Sequence, residues 1–101
     1  MAIYVMFTTL TDEGRKTLKD NPKRLKEVNK EVENMGIKIL AQYALLGQWD
    51  MVNIVEAPND EIAAKIGIKL SAGGMIQPMT LAAIPLENLI ETLKKDHKAP
   101  W

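Results

Sequence analysis

The chain has 101 residues, 47% of them hydrophobic, with 13 basic and 13 acidic side chains and no cysteine. That length sets a single domain with a small core, one that buries only about 60–70% of its unfolded surface. Zero net charge gives no basic excess of the kind that marks a nucleic-acid surface, and the lack of cysteine excludes disulfide scaffolds, thiolate zinc sites and cysteine nucleophiles. No apolar run approaches the roughly 18–20 residues of a membrane span, and no basic segment precedes AIYVMF as it does in a secretory signal. A cytoplasmic protein is expected, with neither nucleic acid nor membrane as partner.

Residues 2–9, AIYVMFTT, are β-branched, aromatic and apolar at successive positions and read as a buried strand. TDEGRKTLKD follows, with Thr11 placed as a helix N-cap and acids in the first turn. Asn21-Pro22 interrupts, and a second helical segment restarts there. In that segment Leu25, Val28, Val32 and Met35 form one apolar stripe. The basic cluster KDNPKRLK reads as a solvated helix face. Gly36 stands where a left-handed C-terminal cap is expected.

Residues 37–46 and 50–57 read as a second and third strand joined by a turn at Gly47-Gln48, whose first position calls for positive φ. Pro58 ends the third strand, and Asn59 or Asp60 caps a helix through EIAAKIGIKL that closes at Gly73-Gly74. Residues 75–85 read as a fourth strand, placed at a sheet edge by Pro78. LENLIETLKK is a short amphipathic helix and DHKAPW a tail. The order β-α-β-β-α-β is that of the ferredoxin-like, split βαβ arrangement, with a core over about residues 2–85 and a C-terminal helix and tail over 86–101.

Side chains alternate along a strand, so the hairpin divides into two faces. One holds Ile39, Ala41, Tyr43, Val52 and Ile54; the other holds Leu40, Gln42, Ala44, Leu46, Trp49, Met51, Asn53 and Val55. The first is the cleaner apolar set and is expected to meet the helices, with Tyr43 in the core. The second is still too apolar for open water, and a second copy laid face to face is the economical cover, the alternative being the terminal helix or tail as a lid over that face. On this reading Met6 lies in a homodimer interface.

LGQWDMVNIVEAPND resembles the signature hairpin of the GYD domain family, named for a Gly-x-Tyr-Asp-type turn: Gly47 and Asp50 match, and Trp49 stands in the aromatic position. YVMFTTLTDEG is similar to the family's first strand and helix start through Tyr4, Thr8, Thr11 and Gly14, and NPKR to its break in the first helix. The resemblance spans roughly residues 2–85. It implies ferredoxin-like protomers associating through their sheets as a dimeric α/β barrel, and it implies no particular reaction. Trp49 in place of tyrosine puts in doubt any chemistry that needs a phenol there.

Gln42 and Asn53 face one another across the hairpin, and a buried amide without a partner costs about 1–3 kcal/mol. They either satisfy one another or their dimer mates, or line a polar pocket with Tyr4, Thr8 and Thr80; with Trp49, placed beside Asp50 at the mouth of a cleft, these are the ligand-binding candidates. Asp50 is the one attractive acid or base, set against a plain role in capping the turn or pairing with a nearby lysine. His97, the single histidine, reads as a tail residue and cannot alone anchor a metal site. The SAGG loop lacks the lysine and spacing of a phosphate loop. Met6, Met51, Met75 and Met79 read as adaptable filler. No metal and no cofactor is expected. The leading expectation is an oligomeric small-molecule-binding module with its site in a sheet-lined cavity. A cofactor-free enzyme using the same cavity, or a purely structural or interaction module, are the alternatives.

Overall fold

The computed structural model describes residues 1–95. The chain runs β1 (Ala2–Leu10), α1 (Asp12–Asp20), α2 (Arg24–Asn34), β2 (Lys38–Ala44), β3 (Met51–Ala57), α3 (Asp60–Ala72), β4 (Ile76–Ala83) and α4 (Leu86–Lys95). The strands form one antiparallel sheet in the order β2-β3-β1-β4, which puts the Pro78 strand at an edge, as expected. This is an α+β chain compatible with the ferredoxin-like arrangement.

Local chemistry starts and stops the elements. Thr11 accepts at 3.0 Å from the Gly14 N–H and caps α1, and Asn59 accepts at 2.9 Å from the Ile62 N–H and caps α3. Each such cap contributes about 1 kcal/mol. Asn59 rather than Asp60 takes this task, which leaves the Asp60 carboxylate available. Asn21-Pro22 separates α1 from α2, and Gly36 turns the chain out of α2 at φ 93°. Gly47 likewise has φ 112°, a conformation that a Cβ disfavours.

The hairpin register follows the sequence reading from Ala44 opposite Met51 through Gln42 opposite Asn53 to Ala41 opposite Ile54. The loop is longer than a two-residue turn: residues 45–50 lie outside the strands, closed by the Leu45 N–H on the Asp50 carbonyl at 2.8 Å. Beyond Ala41 a bulge at Leu40 brings Ile39 opposite Val55. One extra residue exchanges the faces, so Ile39 joins the opposite set from the one expected.

The core is Tyr4, Met6, Val32, Ile37, Val55, Ala57, Ala63 and Ile66, with Thr8 buried beside it. Tyr4, Met6, Thr8, Asn53 and Val55 thus face the helices, which corrects the expectation that Tyr43, Val52 and Ile54 would. Tyr43 is 63% exposed and Met6 only 4%, so Met6 belongs to the core and not to an intermolecular face. The reason lies in what polar groups can reach. On the helix side the Tyr4 hydroxyl donates to Asp60 on α3 and Gln42 exchanges two hydrogen bonds with Asn29 on α2. A ranking by hydrophobicity counts against these groups, whereas Tyr4 buries with its hydroxyl partnered and Gln42 stays exposed on the edge strand while bonded to α2.

Candidate functional site

Most residues of the signature segments hold the chain ends of the sheet together. The Asp50 carboxylate accepts from the Leu10 N–H at 2.7 Å and lies 3.9 Å from the Arg15 guanidinium, while the Asp50 N–H donates to the Thr8 carbonyl at 2.9 Å. It is the clasp between the hairpin loop and the end of β1. The carboxylate thus ties the loop to β1 instead of capping the turn itself, with an arginine rather than a lysine beside it.

The Thr11 hydroxyl donates to the Gly74 carbonyl at 2.6 Å and lies 3.1 Å from that of Met75, which also accepts from the Thr11 N–H at 2.9 Å. Gly14 is buried against the same peptide, where an added Cβ would stand 2.1 Å from the Met75 oxygen. Gly73-Gly74 thus closes α3 as expected, and the SAGG loop docks on the start of α1.

Tyr4 sits at the other end of β1. Its hydroxyl donates to Asp60, and that bond, with burial and the charges of Asp60 and Glu61 adding to it, pushes the phenol up from 10.0 to about 12. The phenol is a neutral donor at every ordinary pH, which fits a tie between β1 and the start of α3.

Between α2, the end of α3 and the sheet lies a cavity of about 110 Å³. Its wall is largely apolar, from Met6, Val28, Val32, Met51, Val55 and Leu70. Thr8, Gln42 and Asn53, three of the six ligand candidates, meet here. Gln42 Nε2 donates to Asn53 Oδ1 at 2.8 Å and to Asn29 Oδ1 at 2.9 Å, and Asn29 Nδ2 donates to Gln42 Oε1 at 2.7 Å. The two facing amides are therefore partnered within the protomer, with Asn29 as the third member. Asn29 was not a candidate from sequence, although it lies four residues after Leu25 and three before Val32, a polar position at the edge of the apolar stripe. At the mouth Arg24 is held by Glu27 and Glu31, both at 3.1 Å, and they raise its pKa.

The other three candidates lie apart. Tyr4 is not in the cavity wall, and Thr80 faces Gly67 and Pro78 in a separate, shallow groove under α3. Trp49 packs on Phe7 with ring centroids 5.7 Å apart. Phe7 belongs to the face turned away from the helices, so Trp49 lies there too and not with Asn53. His97 and Trp101 lie outside the described residues. Among the described residues no group of three acids or histidines is placed to hold a metal ion, and no helix is long and apolar enough to cross a membrane.

The uncovered face of the sheet is built in rows. Ala41, Ile54, Val5 and Leu81 stand opposite one another across the four strands, and Tyr43, Val52, Phe7 and Met79 form the next row. A third row, Lys38, Glu56, Ile3 and Ala83, brings charge to the rim. Tyr43, Leu81 and Met79 are exposed. α4 adds Leu86, Leu89, Ile90 and Leu93 on one helical stripe, and none of its residues is buried. The more polar face is covered by helices, and the more apolar one is left open.

An α+β protomer with helices on one side of its sheet and an uncovered apolar face on the other is the class the geometry defines. The chain belongs to the GYD domain family, whose model matches residues 4–93 and so runs on through most of α4. It is 45% identical over 95 residues to the glutamine synthetase and cystathionine beta-lyase binding protein of Thermus thermophilus, covering 93% of this chain and 100% of that protein. Among solved structures it is similar in fold to the crystal structure of FFRP-DM1, with a TM-score of 0.55 and 19% identity, over 83% of this chain and 100% of that one.

Proposed function

We propose that this chain is a protein-binding module that pairs with a second copy through the open face of its sheet and, so assembled, binds an enzyme of the glutamine synthetase or cystathionine β-lyase kind. The observation that carries the proposal is the apolar surface the fold leaves uncovered: two complete rows across the sheet, with the α4 stripe following directly from the edge strand. A patch of this extent on a soluble chain marks a contact surface. A helix of 10 residues is too short to be stable on its own, so α4 needs a surface to lie on.

A second copy is the occupant the geometry favours. Four strands about 4.8 Å apart and seven residues long give a flat footprint of roughly 400 Å². Stable interfaces bury about 800 Å² per partner, so the sheet face alone falls short and α4 supplies the natural extension. A flat face with an apolar centre and a charged rim is self-complementary under a two-fold axis. The enzyme partners are supported by the relative, which is similar over its whole length and named for binding glutamine synthetase and cystathionine beta-lyase. Asp50 is occupied as a clasp, which weighs against the enzyme alternative.

The test uses purified glutamine synthetase and cystathionine β-lyase from the source organism, titrated by calorimetry with the wild-type chain and with Leu81→Asp. Saturable binding by the wild type supports the proposal, and binding to neither enzyme would refute the choice of partners. Loss of self-association in Leu81→Asp supports the second copy as occupant. A variant of unaltered mass that no longer binds the enzymes would give the face to the enzyme instead.

A further inference from the structure

The helix-side cavity asks for an occupant independently of the open sheet face. Thr8 is 1% exposed, its hydroxyl lies in the cavity wall, and it has no hydrogen-bond partner among the described residues. A valine has the same shape and would fill this place without leaving a polar group unpaired. The second polar group is the Asn53 amide. Its oxygen is taken by Gln42, but its Nδ2 donates to no group among the described residues.

These two groups are neighbours on one face. Thr8 stands opposite Met51 on β3 and Asn53 opposite Met6 on β1, so they are diagonal partners two residues apart across the strand pair. Such side chains have Cβ atoms about 7 Å apart, close enough for both donors to reach one atom between them. Apart from Gln42 and Asn29, which are bonded to one another, the wall near them is apolar: Met6, Met51 and Val55 on the sheet and Val32 and Leu70 on the helices. The charged residues in the wall lie at its solvent side: Arg24 is committed to Glu27 and Glu31, and Lys69 is exposed. Two neutral donors in an apolar wall suit a neutral acceptor, since burying a carboxylate there would cost far more.

We propose that this cavity is a binding site for a small neutral aliphatic molecule that presents one carbonyl-type oxygen to the Thr8 hydroxyl and the Asn53 amide. Size follows from volume. A cavity of 150 Å³ holds benzene, so about 110 Å³ takes roughly four to five non-hydrogen atoms.

Three probes of that size separate the terms. Butanone carries the carbonyl, 2-methylbut-1-ene replaces its oxygen by CH₂, and propionate carries a charge. Methyl NMR of methionine-labelled protein reads them directly: Met6, Met51 and Met75 line the cavity, while Met1 is exposed and Met79 lies on the open face. The expected result is a saturable butanone shift at Met6, Met51 and Met75 with Met1 and Met79 silent. Butanone should bind about tenfold tighter than the alkene, the value of one well-made hydrogen bond. Thr8→Val should abolish that preference without disturbing the spectrum elsewhere, and Asn53→Leu should reduce it. Equal affinity for butanone and the alkene, tighter binding of propionate, an unchanged preference in Thr8→Val, or no saturable shift with any probe would each overturn the proposal.

Discussion

Gly14→Ala and Gly67→Ala are the same substitution in two helices, and the structure gives them opposite signs. At position 14 the new Cβ would stand 2.1 Å from the Met75 carbonyl oxygen and 3.0 Å from its carbon, where ordinary contact begins at 3.4 Å. α1 and the Met75 peptide must part by roughly 1 Å. That movement strains the Thr11 N–H bond to Met75 at 2.9 Å and the Thr11 hydroxyl bond to Gly74 at 2.6 Å. Overpacking costs about 1–3 kcal/mol and a weakened hydrogen bond about 1 kcal/mol, against a gain of up to about 1 kcal/mol in helix propensity. The net is a loss of about 1–3 kcal/mol, or roughly 5–20 °C in melting temperature for a domain this size. At position 67 the nearest atoms to a new Cβ are Thr80 Oγ1 at 3.9 Å and Pro78 Cγ at 4.0 Å. Only the propensity gain remains, so Gly67→Ala should stabilise by up to about 1 kcal/mol. Urea unfolding followed by circular dichroism tests both, at one fixed protein concentration so that any association enters both alike. A Gly14→Ala protein as stable as the wild type would refute the close approach of α1 to the α3–β4 junction.

Three further outcomes follow from named contacts. Tyr4 should ionise near pH 12 in an ultraviolet titration, above its ordinary 10.0. Its neutral form is favoured in the folded state, so its contribution to stability is whole below about pH 10 and lost as pH rises to about 12. Tyr4→Phe should remove that part of the alkaline slope, and an unchanged slope would deny the bond to Asp60. Asp50→Ala should cost about 1.5–3 kcal/mol, the worth of a charged acceptor on a backbone N–H, in urea unfolding; a loss below 0.5 kcal/mol, roughly that of an ordinary surface change, would argue against the clasp. Thr8→Val in ligand-free protein should raise stability by about 1 kcal/mol or more, because the hydroxyl has no partner among the described residues. A lower melting temperature would mean that the hydroxyl is already satisfied.

Much of the fold was legible because each signal was local. Thr11, Asn59, Gly36 and Pro78 mark caps, a left-handed exit and an edge strand by their own chemistry, and the Gly47 hairpin carried the register as far as Ala41. The bulge at Leu40 has no such mark, since nothing in KILAQ distinguishes the extra residue, and it moved Ile39 to the other face. Which face meets the helices was not legible either. Both were apolar enough for burial, and the deciding contacts, Tyr4 with Asp60 and Gln42 with Asn29, join residues 56 and 13 positions apart. The same long-range dependence scattered the candidate site: Gln42 facing Asn53 was local hairpin geometry and held, and Thr8 joined them. Tyr4, Trp49 and Thr80 went to three other places. The expectation of an uncovered apolar sheet face survived with its residues exchanged.

Light scattering after size-exclusion chromatography, on the wild type and on Ile54→Asp, tests most directly whether that face is an interface. Ile54 lies in the central row between Ala41 and Val5, turned away from the core. A wild type of twice the protomer mass and an Ile54→Asp protein of single mass with unchanged circular dichroism is the result expected. A wild type that stays monomeric at every concentration, or a folded Ile54→Asp of unaltered mass, would contradict it.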